Sequence, residues 1–346
     1  MLIIGCDLHT RKQQVAMLDS ETGELVERGL EHANGEARAF YTSLPSPARV
    51  GIEATAPAQW FERRLAELGH ELWVGEAAQI RAPVVRQQKT DRNDAGHLLE
   101  LLLTDHFPRI WIPSAAERDR RPLLRHRHKL VGMRTAVQNQ LQALAMSEGV
   151  CRRRKLWSAR GRAELESLAW GPWGSRRRDE LVKLLDQLEA SLEPQDRAVE
   201  KEAKGSAEAV RLMSPWGVGP VTALAFVLTL GPVERFRRSK QVVSYLGLNP
   251  REHSSGGRQR LGSISKQGNT MLRWLLVEAG QTAARFDPEL RRKYQRLKFR
   301  RGSSVAKVAI ARTLAVRLYW TLRRPAEEAP PVRTSGSPSS GVVPVR

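Results

Sequence analysis

Cysteine is scarce: Cys6 and Cys151 are the only two in 346 residues. Two thiols make no disulfide framework, so buried apolar cores must hold the fold, in an expected reducing, cytoplasmic setting. Long apolar runs are missing too. None approaches the roughly 20 residues that span a bilayer, so no membrane partner is expected. The start, MLIIGCDLHTRK, meets an acid at Asp7 and lacks the basic opening and long apolar stretch of a secretory signal. No internal repeat is present. Acidic residues fall short of basic ones, 37 against 57, leaving a net charge of +20.

That shortfall is uneven. Residues 1–115 hold 12 basic and 16 acidic residues, a net of −4, so the remainder carries +24. An excess confined to one part of a chain marks a polyanion-binding surface, and nucleic acid is the polyanion it points to. A merely soluble basic protein is the plain alternative. Binding to a membrane surface fits less well, because the arginines are spread over several segments.

The length suits two or three domains. Residues 1–115 read as α/β. LIIGCDLH, QQVAMLD and ELVERGLEH form three early strands in an antiparallel meander. ARVGIEA, the helix PAQWFERRLAELG and HELWVGEA form a strand-helix-strand unit that favours a parallel pair. DAGHLLELLLTD is helical. In 116–204, Leu123, Leu130, Val137 and Leu144 recur every seven residues, as do Leu185, Leu192 and Val199. Two long helices, paired with each other or with another subunit, are expected, with Pro194 a candidate break. The Arg/Trp-rich stretch between them reads as an insertion with weak regular structure. Its Trp157, Trp170 and Trp173 either stack on bases or fill a small core. Residues 205–325 read as a mostly helical unit, and 326–346 as a disordered tail.

Four acids occupy telling positions. Asp7 ends the first strand, Glu53 ends the fourth, and Asp91 and Asp94 open a helix three residues apart. Strand-end acids project where ligands bind in α/β folds, and acids three apart share a helical face. Four converging carboxylates repel one another unless they hold a hard cation such as Mg²⁺ or Mn²⁺, and two such ions can clamp a phosphodiester in transfer. A lone Asp at a strand end is more often a cap or turn residue, and Asp91 or Asp94 alone fits an N-cap. The combination is the layout of ribonuclease-H-like nucleases.

Further on, Met213–Ala223 resembles a helix-hairpin-helix whose Gly217-Val218-Gly219 turn exposes N–H groups to a DNA phosphate, or is a tight helical turn without a ligand. Gly247–Asn269 is polar and dense in Gly, Ser and Arg. Arg258, Arg260 and Lys266 offer charge to phosphate, and Ser255, beside two glycines, is an accessible nucleophile. A solvated linker and a catalytic loop fit this composition equally.

These residues together resemble the transposases of DEDD-type insertion sequences, which include Piv-type DNA invertases and bridge-RNA-guided recombinases. The resemblance spans roughly 1–325 and rests on Gly5-Cys6-Asp7, Ile52-Glu53-Ala54-Thr55, Lys89-Thr90-Asp91-x-x-Asp94-Ala95, Gly217-x-Gly219, and Gly247-Leu248-x-Pro250-Arg251 leading to Ser255-Gly256. It implies a RuvC-like ribonuclease-H fold domain (1–115), coiled-coil helices (116–204) and a helical C-terminal transposase domain (205–325). It implies a metal tetrad of Asp7, Glu53, Asp91 and Asp94, and a nucleophile at Ser255, with Ser254 the adjacent rival. It further implies a composite site, homodimers or homotetramers, and an element-encoded guide RNA paired with donor and target DNA. The expected activity is that of a DNA recombinase. A RuvC-like endonuclease hydrolysing branched DNA would need the tetrad and not the serine. A non-catalytic nucleic-acid-binding protein would need neither.

Overall fold

In β1 (Leu2–Leu8), Leu2, Ile4, Cys6 and Leu8 are buried on one face while Ile3, Gly5 and Asp7 turn to the other, the period-two pattern of a strand covered on both sides. The structure, a computed structural model, describes residues 1–54, 58–82, 91–152, 156–254, 258 and 260–324. The chain divides into two units, Met1–Ile112 and Pro113–Arg346.

In the first unit β1 pairs antiparallel with β2 (Lys12–Asp19), and β2 with β3 (Leu25–Glu31). After α1 (Glu36–Ser43), β4 (Arg49–Glu53) pairs parallel with β1. After α2 (Gln59–Glu67), β5 (Glu71–Gly75) pairs parallel with β4. The resulting five-stranded mixed sheet has the order β3-β2-β1-β4-β5, as the expected meander and strand-helix-strand unit require, and is compatible with a ribonuclease-H-like domain. The short α3 (Ala77–Arg81) and then α4 (Asp91–Leu103) complete the unit. Phe40 and Tyr41 of α1 and Phe61 and Leu65 of α2 pack with Ile4, Cys6, Val50 and Ile52 on one face. Leu98, Leu99 and Leu102 of α4, with Ala95, cover Ile3 and its neighbours on the other.

The second unit opens on two 33-residue helices, α5 (Ala115–Ser147) and α7 (Pro172–Lys204). They pack on each other through Leu130, Val137, Leu141 and Ala145 against Leu185, Leu188 and Leu192. Ser114 and Glu117 form a capping box that starts α5. Pro194 does not break α7, contrary to the sequence expectation. A proline there removes one backbone bond, but buried Leu188, Leu192 and Val199 hold both sides of it in place.

The expected weak structure between the two helices is also corrected. This stretch carries α6 (Ala159–Ser167) and the first turns of α7. Leu156 and Leu165 are buried in the α5–α7 core, and Trp157 and Trp170 pack against it, Trp170 donating its indole N–H to the Leu165 carbonyl at 3.0 Å. Only Trp173 of the three stands out, at 79% exposed. The arginines and glycines masked a small apolar set at helical spacing.

The remainder is α8 (Ala207–Leu212), α9 (Pro220–Leu230), α10 (Ser239–Tyr245), a hairpin of β6 (Pro250–Glu252) and β7 (Leu261–Ile264), then α11 (Thr270–Phe286), α12 (Pro288–Arg301) and α13 (Ser303–Arg323). The almost wholly apolar α9 is the centre of a core that also takes in Leu276 and Leu314 and, from the long helices, Leu124, Val199 and Ala203. The expected tail at 326–346 lies outside the described residues.

Candidate functional site

The sheet pairing carries Asp7 and Glu53 to one place. Cys6 stands opposite Ile52 on the adjacent parallel strand, and Asp7 and Glu53 are the next residue on each. Both lie two residues beyond a glycine that faces α4. A Cβ on Gly5 would collide with the Ala95 carbonyl and the Leu99 N–H, and a Cβ on Gly51 would press on Leu102. Gly5 therefore lets the α4 backbone lie directly on β1, and strand alternation then aims Asp7 toward the start of that helix. Asp91 and Asp94 stand in the first turn of α4, where the positive end of the helix dipole favours carboxylates.

Asp7, His9 and Asp91 place ligand atoms within 4.8 Å of one another. His9 Nε2 lies 3.0 Å from Asp7 Oδ2 and 3.7 Å from Asp91 Oδ1. Lys12 Nζ donates to Asp91 Oδ2 at 2.9 Å. Asp94 lies close enough to act electrostatically on Asp7. Glu53 is held by the Arg81 guanidinium. Among the described residues the three-way cluster includes neither Glu53 nor Asp94. Lys89 and Thr90, just before Asp91, lie outside the described residues.

Burial, with the negative charges of Asp94 and Asp91, pushes the Asp7 carboxyl above the usual aspartate range, although His9 pulls it down. The Lys12 hydrogen bond holds Asp91 below its usual range. A half-buried carboxylate among like charges, with an imidazole and a second carboxylate in reach, suits a divalent cation, whose charge relieves the crowding. His9, Lys12 and Arg81 were not singled out from the sequence. His9 was within reach there, since two residues beyond Asp7 an extended chain returns to the same face.

The raised Asp7 pKa has a consequence for stability. The native state binds this proton more tightly than the unfolded chain does. The stabilising contribution is therefore complete below the unfolded value and is lost as pH rises through the native one. In excess chelator at neutral pH, Asp7→Asn is expected to raise the thermal midpoint relative to the parent. The difference should vanish when the scan is repeated in acid. An unchanged or lower midpoint at neutral pH would show that Asp7 is not held at a disadvantage.

In the second unit, Gly217 has a packing reason to be glycine. Its φ is 84°, and a Cβ there would collide with the Ala279 carbonyl of α11. Gly219 caps α9 in open space, but Pro220 at the first helical position removes one donor a phosphate would use. Of the long polar stretch, read as a solvated linker or a catalytic loop, the described part includes the antiparallel pair β6–β7, with Pro250 opposite Ile264 and Glu252 opposite Leu261. Asn249 and Ser265 close its base through bonds of 2.8 and 3.0 Å. Buried Arg273 fastens the same base, donating to the carbonyls of Leu246 and Gln267 and to the Thr270 hydroxyl. Burial pushes its pKa down. Arg273 was missed because a single arginine in a helix reads as surface. Arg258, Arg260 and Lys266 are exposed, Lys266 in a left-handed turn at φ 58°.

Ser254 Oγ donates to Glu252 Oε1 at 2.6 Å and accepts the Arg260 N–H at 3.1 Å. His253 joins the hairpin through its backbone N–H to the Arg260 carbonyl. Glu252 is thus a carboxylate in contact with a hairpin hydroxyl, which the sequence did not reveal. Ser255, Gly256 and Gly257 lie outside the described residues.

Two family models match. One, described as the transposase IS116/IS110/IS902 family, covers residues 209–295. The other, a DEDD-type IS110 transposase, covers residues 4–147. A Pseudomonas aeruginosa protein described as a "probable family 20 transposase" is 33% identical over 334 residues, 92% of this chain and 96% of its own. The transposase of insertion sequence element IS1111A from Coxiella burnetii is 30% identical, over 92% of this chain and 89% of its own. That of IS1328 from Yersinia enterocolitica is 26% identical, over 81% and 83%. Matched along nearly its whole length by such relatives and carrying both family segments in order, the chain belongs to the DEDD-type IS110/IS116/IS902 family of insertion-sequence transposases, enzymes that act on DNA.

Proposed function

We propose that this transposase cuts and rejoins DNA through a serine, Ser255 with Ser254 its rival, and that Asp7, Glu53, Asp91 and Asp94 hold a divalent cation, Mg²⁺ or Mn²⁺, for the same reaction. The observation that supports it most is the meeting of Asp7, His9 and Asp91 at the sheet edge. A bound cation would supply charge neutralisation to the phosphodiester. His9 fits as a further ligand or as the group that orients Asp7. Lys12 and Arg81 neutralise Asp91 and Glu53 and would give way to the cation.

The serine's part follows from bond conservation. Its Oγ forms a bond to phosphorus, one phosphorus–oxygen bond to a deoxyribose breaks, and the sugar oxygen leaves with a proton. The ester keeps the strand joinable without an external energy source, whereas hydrolysis would dissipate that bond. The serine proton needs an acceptor. Glu252, already accepting from Ser254, is better placed in the hairpin than His253 for that purpose. Arg258 and Arg260 offset the phosphate charge, and Gly217, Gly219 and Lys266 belong to the same proposed DNA-facing set. Pairing with an element-encoded RNA, assembly as dimers or tetramers, a RuvC-like first domain and a coiled coil of α5 and α7 complete the proposal.

A suicide substrate nicked beside the cleavage position tests it. Denatured protein should retain labelled DNA, and peptide mapping should place the label on Ser255. Label on Ser254 would move the nucleophile by one residue. Free ends without adduct, from an active Ser254→Ala/Ser255→Ala protein, would show a hydrolytic nuclease.

A further inference from the structure

The sequence PELRRKYQRLKFRR forms α12, with Pro288 in its first turn and Asp287 as the N-cap accepting two backbone N–H bonds. It holds seven basic residues and one acid, Glu289, which is paired with Arg317. Only Leu290 is fully buried, in a small cluster with Ala283, Ala284 and Ile310, against which Tyr294 packs. At 100° per residue, Leu290, Tyr294 and Leu297 lie on one side of the helix. Arg292, Arg296, Phe299 and Arg300 fall within a ~100° arc on the opposite side. All four are exposed, and Phe299 is 95% exposed.

Two of the other cations of α12 are engaged. Arg291 donates to the Arg285 carbonyl and Lys293 to Thr313 Oγ1. Arg292, Arg296 and Arg300 have no hydrogen-bond or ion-pair partner among the described residues. They stand four apart, the spacing at which like charges on a helix repel. Such a row is relieved by an anion that runs along it. A bare phenyl ring in the row is not explained by charge. Its neighbours Lys298 and Arg300 keep the surface from being a dry apolar patch, and a second copy would bring the same positive stripe against it. An aromatic face beside guanidinium groups suits an unpaired base, because in a duplex the π-faces are covered by stacking on the neighbouring bases, whereas a single strand can turn a face outward.

We infer that the outer face of α12 binds unpaired nucleic acid, Arg292, Arg296 and Arg300 following the phosphates and Phe299 stacking on a base. The inference is independent of the serine and of the carboxylates, so binding alone tests it.

The probe is labelled oligo(dT), compared with a labelled DNA duplex by anisotropy across a salt series on the full chain. Phe299→Ala is expected to weaken oligo(dT) binding about ten-fold at unchanged salt slope and to leave duplex binding unaltered, while Phe299→Tyr retains parental affinity. The triple variant Arg292→Gln, Arg296→Gln, Arg300→Gln should lower the oligo(dT) salt slope by about two. Circular dichroism and sedimentation establish that each variant is folded and in the parental assembly state. Parental oligo(dT) affinity in Phe299→Ala, an equal loss on duplex, or a change of assembly state caused by Phe299→Ala would each overturn the assignment.

Discussion

Asp7→Ala is expected to abolish strand exchange, by at least ~10³-fold, in a protein that remains folded. Asp7 is the half-buried member of the cluster with His9 and Asp91, and Asp94 lies near enough to raise its pKa. Removing it takes away the group that the sheet aims most directly at the start of α4. Lys12 cannot replace it, because an ammonium supplies a donor where a cation needs oxygen. Asp94→Asn should be equally silent if Asp94 turns to the cation when it binds. His9→Ala should lose less, about 10- to 100-fold, as expected of a group that orients or supplements ligands. Strand exchange on a supercoiled donor, with circular dichroism to verify the fold, measures all three. Parental activity of folded Asp7→Ala, or full activity in excess chelator, would remove the carboxylates from the mechanism.

The second large effect is expected from a residue that touches no substrate. Gly5→Val should destabilise the first unit by about 3 kcal/mol or more, because overpacking where backbone meets backbone leaves no flexible side chain to yield. A Cβ at residue 5 collides with the Ala95 carbonyl and the Leu99 N–H of α4. The helix must lift from β1, taking Asp91 and Asp94 away from Asp7. Denaturant unfolding followed by a probe in the first unit gives the loss. At a temperature where the variant is still folded, its affinity for Mn²⁺ should fall as well. Gly96→Ala, on the same helix but with open space around it, is the control and should hold or raise stability, by up to about 1 kcal/mol, since alanine favours the helix. Parental stability in Gly5→Val would show that α4 does not rest on β1 at that point.

Much of the first unit was legible in the order of its residues. Alternating Leu2, Ile4, Cys6 and Leu8 and the turn at 20–23 define strands by themselves, because a strand's period of two is a local property. The acids at strand ends and at the start of a helix were legible for the same reason, and they carry part of the family resemblance. The second unit was read less well. Its polar stretch reads as linker or loop, since the bonds that fix its base, Asn249 with Ser265 and Leu246 with Arg273, join partners 16 and 27 residues apart in sequence. Trp157 and Trp170 could not be assigned between core and surface until Leu165 and the α5–α7 seam were beside them.

The sequence alone determined the charge division, the two long helices and the positions of the four acids, each a matter of composition, period or local order, and it carried the motifs in which the family resemblance lies. Only the tertiary structure decided that His9 and Asp91 meet at Asp7, that Arg81 takes Glu53, that Glu252 holds Ser254, and that Phe299 is left bare. These depend on which backbone lies against which. Close approach of the kind Gly5 allows is a property of two segments, about ninety residues apart in the chain, that no local pattern records.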